Sequence, residues 1–576
     1  MQKLMTAADI EMALLEVLSE DENEPDSSES DTEEEIIEER SHSSDSEQSA
    51  EEKTDLSDDE VSEISDFRFY IGKDGQTIWI SEPLPTHKTK AKNIIKILPG
   101  PKMNAKNTPK ELDAFYLFIT EDMLDDIVTN TNIYIENKRV EVSYSRNRDC
   151  RDTSRTEIKA LLGALYLIGV KKGGHTNCCE LWNSDGTGMI ILRALFSYKR
   201  FRFLLRALRF NNLNTRNERK ETDKLAPIRN FHQEFVNNCI SHYNISEFVT
   251  IDEMLHPFRG RCGFVQYIPN KPAKYGLKLY ALCDAKTFYT LNFEVYCGKQ
   301  MPGPYLKSNK PDDIVKRLVK PIEKSNRNVT TDNYYSSYPL AEYLLHKGLT
   351  FLGTMKKNKK EIPREFLANK TRELKSCVFG FQYDICMAST VPKKNKAVIF
   401  LSSMHSTSEI DQETNKSIIN LDYNATKGGV DTVDQMCAAY STSRITRRWP
   451  LLFYRHLDIA GINSNVIFKF NNPDNKDRRR IFVKNLAFGL MEEHLKERAL
   501  LQMLPKEIQV FLAKYRNDEE LAKKPEKPGI CHICGSHKNN RTKTMCQICT
   551  RNVCKKHSVT NTRCVTCEGQ QNMEVD

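Results

Sequence analysis

Long hydrophobic runs are missing from this chain of 576 residues. The longest, Ala160 to Val170, falls well short of the roughly 20 apolar residues that a membrane helix needs, so no membrane partner is expected. The first residues are mixed and then acidic, without the basic and apolar order of a secretion signal. No internal repeat is present. Tryptophan is scarce, at three residues. Of the 17 cysteines, the ten that precede residue 531 follow no spacing rule, which reads as reduced, mostly buried thiols of an intracellular protein rather than a disulfide framework.

Positive charge and aromatic residues are lacking from residues 1–66, which hold 25 Asp and Glu against 3 Lys and Arg. The rest of the chain carries 82 basic against 53 acidic residues, so the overall charge of +7 hides a basic body and an acidic head. The head is expected to be disordered, apart from a short amphipathic helix around Ile10, Leu14, Leu15 and Leu18. It reads either as a solubilising tail or as a polyanion that competes with nucleic acid for the body. Ser30 and Ser57 each have Glu three residues on, a context that suits an acidophilic kinase as a partner.

Little apolar material is found in the last forty residues, where eight metal-ligand side chains stand in four pairs: Cys531 and Cys534, Cys546 and Cys549, Cys554 and His557, Cys564 and Cys567. Each pair has the two-residue gap that lets one knuckle reach one tetrahedral ion, so two Zn²⁺ are expected to supply most of the folding energy. The intervals between pairs predict interleaving. Cys531, Cys534, Cys554 and His557 would share one zinc, and Cys546, Cys549, Cys564 and Cys567 the other. His532 and His537 are close enough to substitute.

Between head and tail the pattern is α/β and multidomain. Residues 67–107 read as a basic approach segment. Ordered structure is expected from Thr108, where Thr108-Pro109-Lys110-Glu111 has the form of a capping box. Helical patterns run to about residue 247. The helix expected over residues 198–210 places Lys199, Arg202, Arg206 and Arg209 on one face, opposite Phe201, Leu204, Leu205 and Leu208. That face is either a solvated surface or a stripe along a phosphate backbone. Short strands dominate residues 248–296, followed by strand–helix alternation to about residue 354, which predicts a mixed sheet with helices on its faces. Residues 356–419 are Lys-rich and irregular, with strand-like stretches such as Ala397 to Leu401, and could be an insertion. Helices return to residue 515, and residues 516–529 form a charged linker to the zinc segment at 530–568.

Three aspartates stand where elements end or begin. Asp252 follows Phe248-Val249-Thr250-Ile251, Asp332 follows Asn328-Val329-Thr330-Thr331, and Asp431 opens a helix with Asp434 one turn on. Singly, each could be a turn or cap residue. Together they could form a cage for hard cations, and two Mg²⁺ held so would promote phosphodiester transfer.

The motifs around these residues resemble those of the piggyBac transposases: Thr250-Ile251-Asp252-Glu253, Phe258-Arg259-Gly260-Arg261-Cys262, Tyr267-Ile268-Pro269-Asn270-Lys271-Pro272, Lys274-Tyr275-Gly276, Thr331-Asp332-Asn333, Thr426-Lys427-Gly428-Gly429-Val430-Asp431-Thr432-Val433-Asp434-Gln435-Met436 and Arg447-Arg448-Trp449-Pro450. The resemblance implies a ribonuclease-H-like mixed-sheet catalytic core at 248–440 with an insertion. It implies flanking helical segments (108–247 and 441–515) that form a dimerisation and DNA-binding domain, and a cross-brace zinc domain that reads the transposon end. It makes Asp252, Asp332 and Asp431 the catalytic triad, with Asp434 a further aspartate that supports it, and all four of them Mg²⁺ ligands. The implied activity is cut-and-paste transposition in the nucleus by a homodimer, with hairpin ends and TTAA target sites.

Further candidates for DNA contact are Arg259, Arg261, Lys271 and Lys274 near Asp252, and Arg444, Arg447, Arg448 and Trp449. The tryptophan could stack on an unpaired base or anchor the core. Lys278 adds charge to the same sheet region. Lys476, Arg478, Arg479 and Arg480 could contact DNA or act as a nuclear address. Two other functions fit parts of the chain: a catalytically silent, domesticated DNA- or chromatin-binding protein, and a zinc-dependent ubiquitin ligase.

Overall fold

The computed structural model describes residues 68–83, 91–141, 150–269, 271–370, 372–501, 503–516, 528–534, 538–546 and 551–558. All belong to one compact unit, Glu39–Asp576. The acidic head with Ser30 and Ser57, Asn270, His537, Cys549, Cys564 and Cys567 lie outside the described residues.

The centre is an 11-stranded mixed sheet. Its middle is built from β1 (Phe248–Pro257), β2 (Tyr275–Asp284), β3 (Thr290–Val295), β4 (Asn328–Thr331) and β5 (Thr350–Met355). β2 pairs antiparallel with both β1 and β3, whereas β4 runs parallel to β1, and β5 parallel to β4. Their order across the sheet is therefore β3-β2-β1-β4-β5. β1 and β2 are buried along nearly their whole length, because apolar residues alternate with polar ones that find partners inside. Helix Tyr338–His346 makes the crossover that a parallel pair such as β4 and β5 needs. It starts at Ser337, whose side chain accepts the Leu340 N–H, and has Pro339 in its first turn.

The sheet reaches further than the sequence suggested. Residues 356–419, expected to be irregular with strand-like stretches such as Ala397 to Leu401, contain the strands Cys377–Phe381, Cys386–Lys393 and Lys396–Ser402. They form an antiparallel meander whose last strand pairs with β5. Order also begins before Thr108. Phe69–Ile71 and Ile78–Ile80 form a hairpin joined to the meander through Ile80 and Phe381. Trp79 is fully buried there, and its indole N–H donates to the Glu361 carbonyl at 3.0 Å. The capping box does not form either. The first helix begins at Glu111, and the Thr108 hydroxyl bonds the Ala105 carbonyl instead.

Helices from both sides of the core pack together. Arg155–Val170 and Arg479–Ala499 lie against one another, and Gly163 makes the approach possible. A Cβ there would lie 2.6 Å from the Met491 side chain and 2.7 Å from the Ala487 carbonyl oxygen. Among the described residues, no helix is long and apolar enough to cross a membrane.

Candidate active site and metal centres

The three aspartates converge because the sheet register and a threonine clasp bring their segments together. Ile251 of β1 stands opposite Thr331 of β4 in the parallel pair, so Asp252, within β1, and Asp332, just past β4, lie at the same level on adjacent strands. The third segment docks through Thr426 and Gly429. The Thr250 hydroxyl donates to the Thr426 carbonyl at 2.5 Å, and the Thr330 and Thr426 hydroxyls are 2.8 Å apart. Helix Gly429–Ala439 then starts directly on β1. A Cβ at Gly429 would lie 2.5 Å from the Thr250 hydroxyl oxygen, so only glycine allows this contact. Asp431 is thereby carried to the strand ends, where it is exposed while Asp252 and Asp332 are half-buried.

The charges of this cluster act on one another. Burial, then the neighbouring Glu253 and Asp332, push the Asp252 carboxyl well above the usual aspartate range. Burial and Glu253 push Asp332 up to about 6, even though it accepts the Tyr334 N–H at 2.9 Å. Lys271 enters from the loop between strand Val265–Tyr267 and β2. Its ammonium donates to Asp431 Oδ1 at 2.9 Å and to the Glu253 carbonyl at 3.0 Å. Burial pulls the Lys271 pKa down, but Asp431 and Asp252 outweigh it and hold it above the ordinary value.

Hard oxygen donors on three elements, two of them reluctant to carry charge unaided, are the donor set that Mg²⁺ prefers. The Lys271 ammonium already pairs one of them, Asp431, with a positive charge. Asp252, Asp332 and Asp431 therefore fit divalent cations. Asp434 is placed differently from its neighbours in the motif: its carboxylate lies 2.9 Å from the buried Arg455 guanidinium, which anchors the helix.

Glu253 was not singled out by sequence reasoning. It is buried beside Lys278, 3.9 Å away, and accepts from the Tyr335 hydroxyl at 3.4 Å. Its place next to Asp252 in the Asp-Glu pair was the available signal.

The cationic candidates divide. Lys199, Arg206, Arg259, Arg261, Lys274 and Arg447 are exposed and Arg202 is half-buried, as DNA contacts would require. Arg209, expected on the same helical face, is not: the helix ends at Ala207, and Arg209 is buried with its guanidinium 3.5 Å from the Tyr134 ring centre. Arg444 is buried too, donating to the carbonyls of Gly173 at 2.6 Å and Thr176 at 2.8 Å. Arg448 donates to the Arg206 carbonyl at 2.5 Å and the Leu208 carbonyl at 2.8 Å, and burial lowers its pKa to about 10. These three hold backbone. Lys271 belongs to the carboxylates. Lys278 is buried under the tyrosine rings 280 and 334. Trp449 is partly buried, edge-on to Phe264 at 5.0 Å, as a core anchor would be. Lys476, Arg478 and Arg480 are exposed, and Arg479 bonds the Met436 carbonyl at 2.9 Å.

In the tail, the ligand atoms of Cys531, Cys534, Cys554 and His557 all lie within 4.8 Å of one another. The Cys534 and Cys554 sulfurs are 3.7 Å apart, and His557 Nδ1 lies 3.6, 3.3 and 3.5 Å from the sulfurs of Cys531, Cys534 and Cys554. Tetrahedral zinc with Zn–S near 2.3 Å and Zn–N near 2.0–2.1 Å requires edges of about 3.5–3.8 Å. The first and third pairs thus meet as the interleaved pattern expects, and the group fits zinc. Of the other set only Cys546 is described.

Residues 110–465 match the family described as transposase IS4. The chain is similar to the human PiggyBac transposable element-derived protein 3, at 23% identity over 380 residues, which are 62% of this chain and 60% of that protein. A human chimeric ERCC6-PGBD3 protein matches at the same identity, with 34% of its length covered. This chain therefore spans less than two thirds of the curated relatives it matches. Among solved structures it is similar to the piggyBac transposase synaptic complex with hairpin DNA, with a TM-score of 0.70 and 33% identity over 80% of this chain and 98% of that one.

Proposed function

Because this chain belongs to the transposase IS4 family, alongside the piggyBac transposases, we propose that it is a cut-and-paste DNA transposase that excises an element and inserts it at TTAA sites through hairpin ends. The observation that carries the proposal is the placement of Asp252 and Asp332 in register on β1 and β4, with Asp431 delivered beside them by Gly429. The sheet order β3-β2-β1-β4-β5, with β4 and β5 parallel to β1, supports reading residues 248–440 as a ribonuclease-H-like core.

Two divalent cations bound at the three aspartates would activate the attacking oxygen and stabilise the leaving one. The chain's own part is positional. Adjacent strands hold Asp252 and Asp332 at a fixed spacing, and Arg455 holds Asp434 and so the helix that presents Asp431. Water attacks the phosphodiester at the element's end and releases a 3′ hydroxyl. That hydroxyl attacks the opposite strand, closing a hairpin, and after the hairpin opens it attacks the target. Exposed Lys199, Arg206, Arg259, Arg261, Lys274 and Arg447 would hold phosphates without reading sequence. The zinc tail would read the transposon end. Helical segments 108–247 and 441–515 would form the dimer, and a chromosomal substrate implies action in the nucleus.

The test is plasmid excision with the element's own ends and sequencing of the repaired junction. Asp252→Ala, Asp332→Ala and Asp431→Ala should each abolish strand cleavage while leaving end binding largely intact. Excision at the wild-type rate by any of them overturns the assignment.

A further inference from the structure

Lys271 is a cation at the carboxylate cluster that reaches two of its three segments at once. Its ammonium bridges Asp431, at the start of helix Gly429–Ala439, and the backbone of Glu253, next to Asp252. Its side chain is 17% exposed, against 55% for Asp431, so the pair sits at the mouth of the site. The loop that carries it is short and internally bonded. The Ile268 N–H donates to the Lys274 carbonyl at 2.7 Å, and the Lys274 N–H to the Lys271 carbonyl at 3.0 Å. Lys274 takes the left-handed conformation, at φ 56°, that such a tight turn requires. These bonds hold the turn on either side of Lys271, and its flexible stem carries the ammonium to the carboxylates.

The Lys271 ammonium bonded to the Asp431 carboxylate and a divalent cation bound to the same carboxylate repel one another as like charges, so each weakens the binding of the other. We propose that Lys271 is a tethered counter-ion of the metal-free site. A divalent cation displaces its ammonium from Asp431, and the freed ammonium then joins exposed Lys274 on the rim as a contact for a DNA phosphate. Metal loading and DNA engagement are thereby linked through one side chain. This rests on the reading of Asp252, Asp332 and Asp431 as the cation cage.

Two measurements test it on the full chain without catalysis. The first is calorimetric titration of DNA-free protein with Mn²⁺, using an Asp252→Asn, Asp332→Asn double variant as the blank for binding elsewhere. Lys271→Met should bind Mn²⁺ about three- to tenfold more tightly than wild type, the equivalent of one partly exposed ion pair, while Lys271→Arg stays near wild type. The second is amine labelling of wild-type protein, read residue by residue by mass spectrometry. Lys271 should label several-fold faster with Ca²⁺ present, and slow again when a transposon-end duplex is added. Equal or weaker Mn²⁺ binding by Lys271→Met, or Lys271 labelling indifferent to Ca²⁺, overturns the displacement while leaving the cage intact. If wild type and Lys271→Met both titrate like the double variant, the cage itself fails and the proposed function fails with it.

Discussion

Replacing Asp332 by asparagine should stabilise the protein, even though it removes a residue proposed for catalysis. The Asp332 carboxyl is pushed from an ordinary 3.8 up to about 6 by burial and by Glu253. A carboxyl raised on folding contributes stability that is fully present below pH 3.8 and lost as pH rises through about 6. At pH 7.5 the loss is complete. A shift of about 2 units corresponds to about 3 kcal/mol. Because Asp332 is only half-buried, screening by water reduces this to about 1.5 kcal/mol. Asparagine keeps an oxygen for the Tyr334 N–H and carries no charge, so Asp332→Asn should recover that amount at pH 7.5 and about half of it at pH 5. The assay is calorimetric melting of metal-free protein at both values, where the gain should raise the core transition by about 2–3 °C at pH 7.5. Added Mg²⁺ should narrow the difference, because wild type gains from it and the variant does not. A lower melting temperature for Asp332→Asn at pH 7.5, or equal gains at both pH values, refutes the reasoning.

Other outcomes follow from the division of the arginines and from the tail. Arg202→Ala with Arg206→Ala should leave melting unchanged but weaken DNA binding, with the slope of log affinity against log salt shallower by about 2. Arg444→Ala should do the reverse: it removes the guanidinium donor from the carbonyls of Thr176 and Gly173, the latter keeping only the Thr176 N–H, which costs about 1–3 kcal/mol, with the salt slope kept. Elemental analysis of the purified full chain should find two zinc ions per chain, and Cys534→Ser should remove one of them. A wild-type value of one refutes the second zinc set.

The fold was legible where the pattern is local and illegible where composition masked it. The strand at 328–331 and the helix at 338–346 stand at the expected bounds, because β-branched residues and a Ser-Tyr-Pro start speak for themselves. β1 was expected to stop at Asp252, since Asp-Glu pairs favour turns. It runs on to Pro257 because Glu253 is satisfied within the core by Tyr335 and Lys278, both distant in sequence. The hairpin at 69–80 was obscured by the charge around it, although Ile78-Trp79-Ile80 behind an Asp-Gly turn carried the signal. Within residues 377–402 the strand-like stretch at Ala397 to Leu401 was legible, and the rest was read by its lysines as irregular. Cys386, Met387, Ala388, Phe400 and Leu401 are buried, so the alternation outweighs the charge.

The site was legible as a set of residue types, not as a set of partners. Three aspartates at element ends could be recognised one by one, but their convergence depends on Thr250, Thr330, Thr426 and Gly429, whose bonds exist only once the sheet has formed. The arginines show the same limit more sharply. Arg206, Arg209, Arg447 and Arg448 look alike in sequence, and what separates them is the unpaired carbonyl groups at the end of helix Tyr198–Ala207. Arg209 and Arg448 both donate to the Arg206 carbonyl, so their charge is spent on closing that helix. Arg448 also lies against Arg261 in an isolated bridge between backbones. The segment that caps the helix therefore also sets the position of the exposed Arg261. Arg209 and Arg448 fix the frame, and for Arg448 spacing along the chain could not show it, because its acceptor lies about 240 residues away.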